Sequence, residues 1–352
     1  MEKRIKELDV LRVLAMLFVV TFHFGCESVS RGIPAFNFLR LTVNYDFGNV
    51  AVTIFLMLSG GLLYKKYGAI SQKSLKEFFI KRVKSIYPPF WILNIYVLLS
   101  LVRHLISDGN PFYAGNPAKL LLTVFGFDGY AQTLGFETYF FCGEWFVGAI
   151  VFLYLLYPLL AKIYKRMPVV MMSALLVGYG LQFVLFKDHL GLVSVYPATL
   201  ILKFCLGFFF FEHLDSFKKM PVALVGLIVF VLCSFVDIPG VVNYDCLGTV
   251  AALGLFIAVF YGAQYLLKAT IADTLVQKVA KLSYCVFLVQ HVIISWSQMG
   301  FLKILEKLQI GISSWGAFGM LWMTLLLILA VAWLLNTVSG WALRLFSGRI
   351  KA

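Results

Sequence analysis

The chain has 352 residues, 61% hydrophobic and only 13% charged. A water-soluble domain carries about 25% charged residues, so this composition excludes one and points to a polytopic membrane protein. The net charge of +13 lies in short clusters between apolar runs; that is the pattern of membrane topology signals, and no nucleic-acid partner is expected.

Apolar stretches long enough to span a bilayer recur at roughly 10–27, 48–64, 86–106, 144–163, 168–186, 195–212, 221–237, 246–267, 282–301 and 315–341. They predict an all-α fold of about ten transmembrane helices in one bundle, a single integral-membrane domain over 1–352. The first stretch reads DVLRVLAMLFVVTFHFGC and is followed by Glu27 and bulky residues rather than a small-residue cleavage site. It is read as a retained helix, not a signal peptide. Its basic residues are Arg12 and His23, eleven positions apart. At about 100° and about 1.5 Å per residue, both leave the same helix face roughly 16 Å apart along the axis. Ionisable groups at such depth are costly and usually face a protein interior or a water-filled cavity. A snorkelling arginine with a hydrogen-bonded packing histidine gives the same pattern, so both readings stand.

Two connections are longer than turns. Residues 65–85 are basic and amphipathic, with Phe78, Phe79, Val83 and Ile86 on one face and Lys76, Lys81 and Lys84 on others. An interfacial helix on anionic lipid and a phosphate clamp both fit. Residues 107–143 are rich in Gly, Asn, Asp and aromatics and read as a re-entrant or capping loop over a cavity, in contact with substrate. Farther on, polar residues punctuate apolar helices: Glu144 in CGEWF, Lys203 in ATLILKFCLGFF, and Gln290 with His291 in SYCVFLVQHVII. Each also has a structural reading, as a helix-terminus carboxylate for Glu144 or an internally satisfied polar group for the others.

Basic residues cluster at both ends and in alternate connections, such as Lys65-Lys66, Lys81-Arg82, Lys162 to Arg166, Lys218-Lys219 and Lys268 to Lys281. If ten helices alternate, these fall on one side, and the positive-inside rule makes both termini cytoplasmic. The six cysteines show no C-x-x-C spacing and read mostly as packing residues, with a Cys26–Cys142 disulfide open. The five histidines show no close pairing, so no metal is expected. No phosphate loop, HExxH or GxSxG is present.

Four segments in this order resemble the membrane acyltransferase-3 family, whose members move acyl groups onto extracytoplasmic glycans. They are the R-x10-H of Arg12 and His23 after an acidic residue, GNVAVTIFLMLSGGLL with its Ser59-Gly60 pair, FFIKRVKSIYPPFW, and GEWFVGAIVFLYLLYPLL. KLSYCVFLVQHV, with Ser, Tyr and a later His, is a fifth. The sequence departs from the family pattern at Thr53, where many members carry Asp or Pro, and in the basic run, where Lys81-Arg82 and Lys84 replace an Arg-x-x-Arg.

The resemblance implies an O-acyltransferase, of the O-acetyltransferase type, in a bacterial cell membrane. Acyl-CoA, most often acetyl-CoA, is the donor and co-substrate, and a hydroxyl of a cell-surface or lipid-linked glycan is the acceptor. The coenzyme's phosphates then belong to Arg12, Lys81, Arg82 and Lys84. His23 is the base on the glycan hydroxyl or a transient acyl carrier, with Glu144 orienting it or binding sugar hydroxyls. Trp145, Tyr139 and Tyr130 are candidate stacking faces for sugar, although aromatics at helix ends also form interfacial belts. Lys203 and His291 complete the substrate side. Membrane lipids surround the bundle, and assembly as a homo-oligomer stays open. Two other functions compete: a glycan or lipid-intermediate flippase that does not acylate, and a scaffold subunit of a polysaccharide-export machine. A different acyl group, such as succinyl, on the same fold is a third possibility.

Overall fold

A computed structural model describes residues 4–34, 42–139, 144–237 and 244–349. The fold is all-α among these residues, and every predicted apolar stretch is helical. The long helices are α1 (Glu7–Ser30), α2 (Phe47–Tyr67), α3 (Gln72–Asp108), α6 (Glu144–Arg166), α7 (Pro168–Leu185), α8 (Pro197–Glu212), α9 (Met220–Phe235), α10 (Tyr244–Leu266), α11 (Thr270–Lys307) and α12 (Ser314–Arg349). Two short helices, α4 (Leu120–Phe125) and α5 (Asp128–Thr133), lie between α3 and α6. Eight helices are long and apolar enough to cross a membrane. The other two, α8 and α9, have 16 residues each. At 1.5 Å per residue that is about 24 Å, shorter than a hydrocarbon core of about 30 Å, so among the described residues eight of the ten expected spans are long enough by themselves.

Helix α1 packs against α2, α10 and α11. Arg4 and Lys6 pair with Asp273 at one end, and Ser28 accepts a bond from Gln298 at the other. α1 and α11 therefore run parallel. Asp46 starts α2, where its carboxylate accepts the Asn49 amide at 2.6 Å as an N-cap. The contact of α2 with α8 is made backbone to backbone. A Cβ at Gly60 would come within 2.1 Å of the Phe204 carbonyl oxygen, and one at Gly207 within 2.1 Å of the Met57 carbonyl oxygen. Small residues are what permit such an approach where lipid supplies no hydrophobic drive between helices.

Lys65 and Lys66 end α2, while the basic segment from Gln72 onward and the third apolar stretch, expected as separate elements, are one 37-residue helix. It is about 55 Å long, so it must project well beyond the hydrocarbon core at one end or both. The helix continues through Pro88 and Pro89. The Tyr284 hydroxyl donates to Ile86 O and the Asn94 amide to Phe90 O.

The segment after α3 is re-entrant. Tyr87 and Trp91, about 26–31 Å back along α3 from Asp108, donate to the carbonyls of Phe125 and Val124. Asp128, at the start of α5, is 2% exposed, and burial lifts its carboxyl from 3.8 to about 6 against the opposing Gly129 amide. The Cys26–Cys142 disulfide that the sequence leaves open involves Cys142, which lies outside the described residues.

Gly60→Ala and Gly207→Ala are expected to cost about 1–3 kcal/mol or more by forcing α2 and α8 apart. Gly178→Ala, which has open space around it, should leave stability unchanged or slightly raised. Thermal unfolding of the purified variants compares them. A carboxyl whose folded pKa is raised favours folding below its unfolded value of 3.8, and that advantage disappears as pH rises through about 6. Asp128→Asn should therefore stabilise the protein by up to about 3 kcal/mol at pH 7.5. The gain should vanish below about pH 4 in a series of unfolding scans at stepped pH.

Candidate functional site

Two cavities open into the bundle, and the helix directions order them along it. From its N-terminus, α1 meets the first cavity at Arg12 and the second at Val19 to His23. α2 runs the other way, meeting the second cavity at Gly48 to Val52 and the first at Phe55 to Leu63.

The first cavity has a volume of about 700 Å³. Arg12, Arg82, Lys84, Lys281 and Arg344 line it, and no carboxylate does among the described residues. Its inner wall is apolar, with Phe55, Leu58, Phe146, Ile150 and Phe287. Arg12 is steadied one helical turn back, where its guanidinium donates to Asp9 at 2.7 Å. The Arg82 guanidinium lies 5.8 Å from the Phe78 ring and 5.6 Å from the Tyr154 ring, a cation–π cradle. Its Nε is buried with no hydrogen-bond partner among the described residues. The Tyr154 and Ser59 hydroxyls share a 2.8 Å hydrogen bond. Arg12, Ser59, Arg82 and Tyr154 come from four different helices and meet at this one cavity. A concave, cationic mouth with an apolar interior suits a ligand with anionic groups at one end and a thin apolar arm at the other.

The second cavity, about 430 Å³, holds His23, Asp46, Trp145 and Lys203. Lys203 is 1% exposed, and its Nζ lies 2.7 Å from Asp245 Oδ1. Asp245 also accepts from the Asn49 amide at 2.6 Å and the Tyr179 hydroxyl at 2.7 Å. This network joins α2, α7, α8 and α10. The Asn49 Oδ1, in the cavity wall, is buried without a partner among the described residues. Burial raises the Asp46 carboxyl above the usual carboxylate range, opposed by the Asn49 amide. The His291 ring centroid lies 4.1 Å from that of His23. The cavity thus presents an imidazole, carboxylates, an amide oxygen and an indole, a set suited to a hydroxyl-rich molecule.

Among the described residues one side chain, Phe287 of α11, lines both cavities. Its ring packs 4.8 Å from Phe146 and 6.2 Å from Phe55.

A family model described as an acyltransferase domain, the acyltransferase-3 type, matches residues 5–337. The chain belongs to the acyltransferase-3 family. It is accordingly a membrane acyltransferase, with several apolar helices crossing the bilayer. No match was found among curated proteins or among solved structures.

The structure distributes the sequence candidates unevenly. Arg12, Arg82 and Lys84 reach the first cavity, whereas His23, Trp145 and Lys203 reach the second. Arg12 and His23 therefore do not share one cavity but face two that meet at Phe287. Lys81 lines neither; it is exposed and paired with Glu77 one turn away. Tyr139 also lines neither. It is fully buried in a small cluster with Val97 and Ala114, and its hydroxyl donates to Gly115 O. Tyr130 is likewise taken up by structure, donating to Val195 O. No described residue of 107–143 lines either cavity; the described part of the segment packs back on α3 through the Phe125 and Val124 carbonyls. Glu144 opens α6, and its side chain lies outside the described ones. Sequence reasoning missed Asp46, Asn49 and Asp245. One signal was available: the tripeptide Asn-Tyr-Asp occurs twice, at 44–46 and 243–245, each time just ahead of an apolar run.

Lys203→Met leaves Asp245 charged, buried and short of its cation, and should cost about 3–5 kcal/mol. Adding Asp245→Asn should restore much of that loss. Melting temperature and the monodisperse fraction on size exclusion are the readouts, and a double variant no better than the single would show that the pair's charge is not what matters.

Proposed function

We propose that this protein carries an acyl group, acetyl in the first instance, from cytoplasmic acyl-CoA to a hydroxyl of an extracytoplasmic or lipid-linked glycan in a bacterial cell membrane. The observation that carries this reading is the pair of chemically unlike cavities, one cationic and one containing His23, aligned along the bundle and meeting at one aromatic layer.

The coenzyme's phosphates lie among Arg12, Arg82, Lys84, Lys281 and Arg344, with bidentate arginine contacts available to them. Its pantetheine arm runs along the apolar wall towards Phe287. The positive-inside rule puts this cationic end in the cytoplasm, where acyl-CoA is made. The glycan hydroxyl enters from the second cavity, with Trp145 as a stacking face. His23 takes the hydroxyl proton as the oxygen attacks the thioester carbonyl. The C–O bond forms, the C–S bond breaks, and the coenzyme A thiolate recovers the proton from His23. His23 carrying the acyl group itself, in two successive transfers, is the variant of this chemistry that the same position allows. His291, against the His23 ring, is a positioning residue.

His23→Ala should lower transfer by about 10²–10⁴-fold while the protein stays folded and inserted. The assay follows labelled acetyl from acetyl-CoA onto a glycan acceptor, and its mass gain on surface glycans of cells. Full transfer by His23→Ala removes the base, and glycan movement without label transfer in the parent would mean transport alone. Arg12→Ala should weaken acyl-CoA binding about 10–100-fold, the worth of a charge-assisted phosphate contact, with a smaller effect on the bound-state rate.

A further inference from the structure

We infer that Phe287 is the septum between donor and acceptor spaces, and that its side chain sets the length of acyl group transferred and keeps the thioester from water. This rests on the proposed transfer from the first cavity to the second.

The argument starts from position. The donor cations and His23 belong to different cavities, so no bound donor reaches His23 without passing the boundary between them. Among the described residues Phe287 is the one that lines both, it is 5% exposed, and it packs against Phe55 and Phe146. Three aromatic rings from α2, α6 and α11 thus close the path. An aromatic layer is rigid and apolar, so it blocks hydrated ions and water while a thin acyl thioester can slide in by displacing one ring. His291 lies four residues on, one turn along the same face of α11, and its ring touches that of His23. Movement of the Phe287 ring and the setting of His23 are therefore carried by one stretch of one helix. The space freed by one ring is small, which limits the acyl group to a short one.

The test uses purified protein in lipid nanodiscs with a series of acyl-CoA donors, from acetyl to octanoyl, and separately in proteoliposomes. Phe287→Ala should shift kcat/KM towards longer donors by about fourfold for each methylene the enlarged space accepts. It should also raise acceptor-independent hydrolysis of acetyl-CoA. Phe287→Trp should lower transfer by about tenfold or more through overpacking, with acetyl-CoA binding kept because the cations are untouched. An unchanged chain-length profile and hydrolysis rate in Phe287→Ala would overturn the acyl-length role.

A second measurement does not depend on acyl transfer. A thiol is placed in the second cavity by Val52→Cys, and a small membrane-impermeant methanethiosulfonate is added to one face of oriented proteoliposomes. Mass spectrometry of the peptide spanning position 52 then reads its modification. With Phe287 present, labelling should occur from the His23 side; with Phe287→Ala added, it should occur from both. Labelling from both sides with Phe287 present, or from one side without it, sinks the septum. Should the parent neither bind nor use acyl-CoA, the proposed reaction fails while this labelling result still decides whether Phe287 divides the two spaces.

Discussion

Lys203 and Asp245 hold opposite charges 2.7 Å apart at a depth where neither would be tolerated alone. Asn49 and Tyr179 complete the carboxylate's shell, so one acidic side chain draws together four helices. The second cavity owes its walls to that junction. If the network were loosened, α2, α8 and α10 would lose their register, and His23 would lose the polar surface it faces. Backbone contact at Gly60 and Gly207 works in the same direction, since it lets α2 and α8 approach closely enough for Asn49 and Lys203 to reach one partner.

The first cavity obeys a different rule. Its cations face a space wide enough for solvent and ligand, and two of them are steadied by local devices: Asp9 for Arg12, aromatic faces for Arg82. Such a site attracts anions without consuming its charge internally. The contrast between the two cavities is therefore one of charge use. In one, the lysine is neutralised by a buried carboxylate and serves architecture. In the other, the cations remain available. Between them lies apolar aromatic packing, which is the least permissive material for a proton or an ion to cross.

Long helices shape how these spaces open. α3 carries Arg82 and Lys84 on its way from the basic end and continues through two prolines, and Tyr284 of α11 and its own Asn94 donate to carbonyls beside them. The re-entrant segment after it packs back onto the same helix through Tyr87 and Trp91. Tyr139, a candidate stacking face for sugar in the sequence, instead helps hold that segment together.

Much of this was legible in the amino-acid order. Apolar runs located every long helix, because burying a backbone in lipid demands continuous hydrogen bonding within each span. Helical periodicity put Arg12 and His23 on one face, and four short segments resembled an acyltransferase family that the whole-chain match bears out. What the chain order left open were pairings between distant positions. Lys203 finds Asp245 forty-two residues on, and Asn49 lies farther still. Whether Lys81 or its neighbour Arg82 faces a cavity depends on the rotation of α3 against its neighbours. Phe287 is one of 34 phenylalanines, and an aromatic in an apolar helix reads the same whether it meets lipid, core or a passage. Only the packing of α11 against α2 and α6 decided that it divides two cavities, because burial and direction are properties of neighbours and not of a residue.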